Sequence, residues 1–351
     1  MTRTIPMTFP ALRYTGRIDM ADAANPYFVY PCSSVAFRVT GKTLLVRLTN
    51  KRSYFDNRLG VMVNGVQSAV LLKEGEQEID LSGSLAEGVS DVLLFKRQDC
   101  CHAYWLNGLV VDADAQLLEL PARPARRMEV YGDSVSAGEV SEAEFACGQS
   151  DPEGHNGLYS NSWLSYAWQA ARLMNAELHD IATGGMALLD GTGYFNWPNF
   201  IGMESCWDKI NYYPALGEAT PWDFSRYTPH VVVVAIGQND HNPVNIMADD
   251  YDSDASRHWR AEYRRFIGQL RTKYPRAHIV LTTTILGHHE NWDKAIDEVC
   301  QELRTTDQRV HHFLYTNNGC GTPGHIRGSE AAVMAKELAA FVEGLDGVWE
   351  D

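Results

Sequence analysis

The chain has 351 residues, 45% hydrophobic and 21% charged, with a formal net charge of −15. That balance suits a globular protein with room for two domains, and no stretch approaches the roughly 20 apolar residues that span a bilayer. The excess of carboxylates repels polyphosphate and anionic lipid, so it argues against nucleic acid and membrane partners and favours a neutral substrate.

In chain order, the start at residues 1–10 has no apolar run and no small-residue cleavage site, which predicts a cytoplasmic protein. Up to Pro121 the pattern is β. Val35, Phe37 and Val39 alternate with smaller or polar residues, and 44–48, 59–63 and 92–95 are short runs rich in Val, Leu and Phe. Thr40-Gly41-Lys42 and Asn64-Gly65 supply turns. The second is the stronger hairpin signal, because Asn and Gly tolerate positive φ. Short strands with frequent turns predict an all-β sandwich, jelly-roll-like, over residues 1–121. Residues 121–127 hold two prolines and no apolar periodicity, and read as a linker.

Over residues 122–351 the period changes. Strands are predicted at 128–131, 178–182, 231–236, 279–284 and 310–314. Helices are predicted at 162–174, 256–274, 292–303 and 329–345. The run 231–236 is continuously apolar, as in a strand buried on both faces. Alternating β and α elements predict a parallel sheet covered by helices, a three-layer α/β domain. The cysteines number seven, Cys100 and Cys101 are adjacent, and no Cys-x-x-Cys pair occurs. They read as reduced thiols rather than a disulfide frame or a zinc site.

Ligands in open α/β sheets bind beyond the carboxyl ends of the strands. Ser134 follows the first predicted strand, Thr183-Gly184-Gly185 the second, and Gly237-Gln238-Asn239-Asp240 the third. His288 and His289 follow the fourth, and His325 lies after the fifth. This set suits acyl transfer. A serine hydroxyl needs a base within reach, and imidazole titrates in the right range. The oxyanion of the tetrahedral intermediate needs fixed donors, which the backbone N–H groups of Ser134 and Gly184 and the Asn239 amide can supply. Gly185 competes with Gly184.

The stretch Val130-Tyr131-Gly132-Asp133-Ser134-Val135-Ser136-Ala137-Gly138 resembles block I of the SGNH (GDSL) hydrolases. Gly184 resembles the block II glycine, and Gly237-Gln238-Asn239-Asp240 resembles block III. The resemblance implies a flavodoxin-like catalytic domain with Ser134 as nucleophile, His325 as base and no cofactor or metal. A β-sandwich ahead of such a domain is similar to carbohydrate esterase family 2, as are Lys96-Arg97 and Trp222-Asp223-Phe224-Ser225 leading into 229–234. That implies removal of O-acetyl groups from xylo- or manno-oligosaccharides, an acetylated oligosaccharide or other small acyl ester being the substrate. The family block V pattern Asp-x-x-His-Pro departs here: the window reads Thr322-Pro323-Gly324-His325-Ile326, and no Asp lies between Asp307 and Asp346. The resulting expectation is a Ser134–His325 dyad, the imidazole being oriented by a backbone carbonyl.

Other residues have plainer readings beside the functional one. Asp133 is a structural hydrogen-bonder beside the cleft. His288 and His289 are alternative bases or solvated loop residues, while His311 and His312 belong to the last strand. Tyr194 and Trp197, in a long loop at 191–198, stack on sugar rings or pack the loop, and His241 is a further cleft candidate. The competing functions are an acyltransferase using the same serine and histidine, and a carbohydrate-binding protein whose hydrolase domain has decayed.

Overall fold

The computed structural model describes residues 1–350, which separate into two compact units. The first comprises Met1–Arg123 and Ile210–Thr220, and the second comprises Pro124–Lys209 and the chain from Pro221 onward. The excursion at 210–220 lies outside the two consecutive segments expected from the sequence. Within the first unit, Tyr212 stacks on Tyr30 with ring centroids 5.1 Å apart, and the hydroxyl of Ser53 donates to that of Tyr213 at 3.0 Å.

The first unit holds two six-stranded antiparallel sheets. One has the order Ile18–Asp19, Tyr27–Phe28, His102–Asp112, Leu44–Arg52, Gly75–Asp80, with Thr2–Ile5 also pairing to His102–Asp112. The other has the order Leu117–Leu118, Ser34–Thr40, Val89–Lys96, Arg58–Val63, Val66–Leu71, with Arg13–Thr15 on Ser34–Thr40. Alternate residues point inward, as the period of two requires: Val35, Phe37 and Val39 from one sheet join Leu44, Val46 and Leu48 from the other in one apolar core. Asn64 and Gly65 take φ of 50° and 79°, and Val63 pairs with Val66 across them, the two-residue hairpin that their chemistry predicts. Thr40-Gly41-Lys42 also turns, but it carries the chain from one sheet to the other instead of closing a hairpin.

The second unit is built on a five-stranded parallel sheet: Ala176–Ala182, Arg126–Gly132, Val231–Ala235, His278–Thr282, Val310–His312. In chain order this is second, first, third, fourth, fifth, the flavodoxin-like order whose switch point lies at the first strand. Every residue of Val231–Ala235 is buried, as its unbroken apolar run demands. Helix Tyr166–Leu173 packs with Gly328–Glu343, and Asp254–Lys273 packs with Asn291–Arg304. The predicted helix at 162–174 is split: Ser162–Leu164 is a single 3-10 turn, and Ser165, in extended conformation, caps the α-helix by accepting from the Trp168 N–H. Among the described residues no helix is long and apolar enough to cross a membrane, and all seven cysteines are free thiols.

Candidate active site

The first strand ends at Gly132, and the chain turns at once into the four-residue helix Ser134–Ala137. Asp133 caps that helix, its carboxylate accepting from the Val135 N–H at 2.9 Å. Ser134 is thereby fixed at the carboxyl end of a central strand, only 3% exposed.

Asp133 is also the anchor of the third-strand loop. Gln238 Nε2 donates to its Oδ2 at 2.5 Å, and Asn239 Nδ2 donates to the same oxygen at 2.9 Å. Gln238 in turn accepts from Thr284 Oγ1 at 2.9 Å, which ties in the fourth strand's loop. Burial pushes the Asp133 carboxyl up to about 6, against the Val135 and Gln238 donors that favour its charged form. Asp133 thus links the Ser134 turn to the third-strand loop by hydrogen bonds.

The Asn239 amide is tied to the Ser134 turn through Asp133, but it is not idle. Nδ2 also lies 3.1 Å from the Met186 carbonyl, so both of its hydrogens have protein acceptors within reach. An oxyanion has to compete with Met186 O for one of them. Asp240 clamps the second-strand loop to this one. Its carboxylate accepts from the Leu188 N–H at 3.0 Å and from Trp259 Nε1 at 2.8 Å, although burial pushes its pKa up to about 7. Gly184 is half-buried at that loop's tip. Gly185 has a reason of its own to be glycine: its φ is 74°, and a Cβ there would sit 2.7 Å from that of Tyr194. Its carbonyl accepts from the Tyr194 N–H at 2.9 Å.

His325 differs most from expectation. Its Nδ1–H donates to Asp151 Oδ2 at 2.5 Å, and its backbone N–H donates to Asp151 Oδ1 at 2.9 Å. The dyad oriented by a carbonyl is therefore corrected: a carboxylate holds the ring, supplied from 174 residues earlier in the chain. Arg327, fully buried, fixes that carboxylate by donating to Oδ1 at 2.9 Å, and it also donates to the carbonyls of His325, Ala146, Gln149 and Ser150. Burial alone would raise Asp151, but His325 and Arg327 outweigh it and hold the carboxyl well below the usual range. Beyond the ring, Glu139 Oε2 is 3.6 Å from His325 Nε2. Glu139 is joined to the Ser134 turn by its N–H, which donates to the Ser134 carbonyl at 2.9 Å. Asp133 and His325 also act on each other's charge, so the two halves of the site share one electrostatic field.

The other histidines are engaged elsewhere. His288 has Nδ1 against the Leu286 carbonyl at 2.6 Å and Nε2 against Asp293 at 3.0 Å, so neither nitrogen is open to serve as base. His311 pairs with His278 at 3.0 Å, and burial with its cationic neighbours holds it down at about 4. His312 bonds Asp297. His241 is bonded through Nδ1 to the Gln238 carbonyl at 2.6 Å and through Nε2 to the Tyr194 hydroxyl at 2.8 Å, which pins the 191–198 loop to the rim. Tyr194 is half-exposed and Trp197 is 78% exposed. Among the described residues no group of three or more His, Cys, Asp and Glu is placed to hold a metal ion.

Asp151, Arg327 and Glu139 escaped the sequence reading. The only available signal was the need for an acid on the rim, and the segment 139–153 offers five acidic residues with nothing local to choose among them.

Residues 14–121 match the family model described as Carbohydrate esterase 2 N-terminal. An acetylxylan esterase / glucomannan deacetylase of Cellvibrio japonicus is 27% identical over 350 residues, covering 96% of this chain and 89% of that protein. A cellulase/esterase, CelE, of Acetivibrio thermocellus is 28% identical over 95% of this chain, which spans 39% of that longer protein. A solved family two carbohydrate esterase from Cellvibrio japonicus shares the fold with a TM-score of 0.80 at 24% identity, over 100% of this chain and 98% of that one. Together these show the resemblance to carbohydrate esterase family 2 and support carboxylic ester hydrolase activity.

Proposed function

We propose, on the premise of that resemblance, that this chain is a serine esterase that removes O-acetyl groups from carbohydrates, acting through Ser134, His325 and Asp151. The observation that carries it is the 2.5 Å bond from His325 Nδ1 to Asp151. A hydrogen held on Nδ1 leaves Nε2 as the nitrogen that exchanges a proton, the tautomer a general base requires.

In this reading Ser134 Oγ attacks the acetyl carbonyl as its proton passes to His325 Nε2. The negative charge on the carbonyl oxygen is met by the Ser134 and Gly184 N–H groups and by one Asn239 Nδ2 hydrogen withdrawn from Met186 O. His325 then returns the proton to the departing sugar oxygen, leaving an acetyl-serine. Water, deprotonated by His325, attacks the acetyl-serine and releases acetate. Asp151 stays ionised throughout and holds the ring. The chemistry calls on side chains and backbone alone.

Tyr194, Trp197 and His241 line the approach in this reading, and the flat, exposed Trp197 ring suits stacking on a sugar face. The two-sheet unit is read as a jelly-roll-like accessory domain, with the hydrolase domain following it. The view that the α/β domain is a decayed, carbohydrate-binding remnant rested on the missing block V acid, and Asp151 removes that support. The test is acetate release from acetylated xylo- and manno-oligosaccharides and from acetylated monosaccharides. Release that is abolished by Ser134→Ala supports the reading; no release from any of them overturns it.

A further inference from the structure

The mechanism leaves one half-buried carboxylate at the site unused. Glu139 Oε2 lies 3.6 Å from His325 Nε2, the nitrogen that must exchange the reacting proton, and its side chain is only 16% exposed. The residue follows Gly138, which ends the nucleophile's helix in the left-handed conformation, and its own N–H is bonded to the Ser134 carbonyl. Its place beside the imidazole is therefore built into the nucleophile's turn. His325 is bracketed by two carboxylates, with Asp151 on Nδ1 and Glu139 on the Nε2 side. A triad needs only the first.

We propose that Glu139 is a positioning residue for the catalytic proton, stabilising the imidazolium of His325 in the free enzyme and so restricting efficient turnover to the alkaline side of neutrality. This rests on the reading of His325 as the general base. The charged and titratable groups around the ring are Asp151, Glu139 and Asp133, with Arg327 behind Asp151 and His155 nearby. Burial of the ring disfavours its charge. Glu139 first, and Asp151 after it, outweigh that burial and bring His325 up to about 9. The sign follows. Only the neutral ring accepts the Ser134 proton, so kcat/KM falls about tenfold for each pH unit below the His325 pKa.

The two carboxylates act differently, and this makes the proposal testable. Asp151 fixes tautomer and orientation, whereas Glu139 contributes mainly charge. Glu139→Gln keeps the size and removes the charge. The acid limb of kcat/KM for a small aryl acetate is expected to move down by about one pH unit, a shift typical of losing one nearby opposite charge. The ratio of activity at pH 6 to that at pH 10 then rises about tenfold. Glu139→Asp, which restores a carboxylate on a shorter stem, is expected to return the limb part of the way.

A limb that stays in place or moves up in Glu139→Gln overturns the proposal. Should that variant not fold, NMR titration of the His325 Cε1–H in Glu139→Asp decides: a midpoint below that of the unaltered protein supports the role, and one unmoved or raised overturns it. His325→Ala separates the two readings. If it retains turnover, the base assignment itself fails. If it is inactive while the limb in Glu139→Gln is unmoved, only the role of Glu139 fails.

Discussion

Asp151→Asn probes the least sequence-legible part of the site. The substitution keeps the shape and removes the charge. The new amide places either an oxygen or an NH2 group against His325 Nδ1. Arg327 and the His325 backbone N–H both donate to Oδ1, so the oxygen stays on their side and the NH2 faces the ring. Nδ1 must then accept, which puts the hydrogen on Nε2, the wrong nitrogen for a base. The corresponding change in a serine protease triad costs about 10⁴ in kcat, and a loss of about 10³–10⁴ is expected here. A stability cost accompanies it. Arg327 is fully buried and loses the Asp151 carboxylate, but it keeps four backbone carbonyls. That places the cost at about 1–3 kcal/mol, below the full penalty for a buried charge left alone. The assay is kcat on an aryl acetate, measured across pH, with urea unfolding of the same preparation. A folded variant with kcat within tenfold of the parent refutes the assignment of Asp151 and returns the site to an unassisted Ser134–His325 dyad.

Asn239→Ala is expected to lower kcat by about 10²–10³ with a smaller change in KM, since the donor acts on charge that develops after binding; equal loss in KM alone would point to a role in binding only. Gly185→Ala places a Cβ at φ 74° and 2.7 Å from the Tyr194 Cβ, and is expected to lower unfolding free energy by more than about 1 kcal/mol in urea titration. Trp197→Ala, at a ring 78% exposed, is expected to leave the urea midpoint in place while raising KM for acetylated oligosaccharides more than for aryl acetates; an equal KM for both classes removes Trp197 from the sugar site. Acid should unfold the protein partly through Asp151. Its carboxyl is held below the usual range, so the stability it contributes is present above the unfolded value near 4 and is lost as pH falls through the lower folded one. Asp151→Asn should therefore flatten the acid limb of a urea-midpoint profile.

The parts of the fold fixed by local chemistry were legible. Val231–Ala235 has to be a central strand because nothing in it tolerates water on either face, and Asn64-Gly65 has to be a hairpin because both residues accept positive φ. Thr40-Gly41 gave a weaker turn signal and no information on which sheet the next strand would join. The 210–220 excursion was invisible for a related reason: Tyr212 and Tyr213 look like any loop aromatics until Tyr30 and Ser53 are known to receive them. The positions of Ser134, Asn239 and Gly184 just beyond strand ends were readable because each lies within a short motif that follows a strand. Asp151 was not, because its bond to His325 closes a span of 174 residues, and no spacing rule reaches that far.

The central claim is that Ser134 is a nucleophile activated by a histidine that Asp151 holds. Its most direct test is covalent labelling with a fluorophosphonate, followed by peptide-mapping mass spectrometry. The account predicts one adduct per chain, on Ser134, formed in the parent protein and at least a thousandfold slower in His325→Ala, about the scale on which removing one triad member disables the rest. An adduct on another residue, or labelling of Ser134 at the same rate without His325, would contradict it.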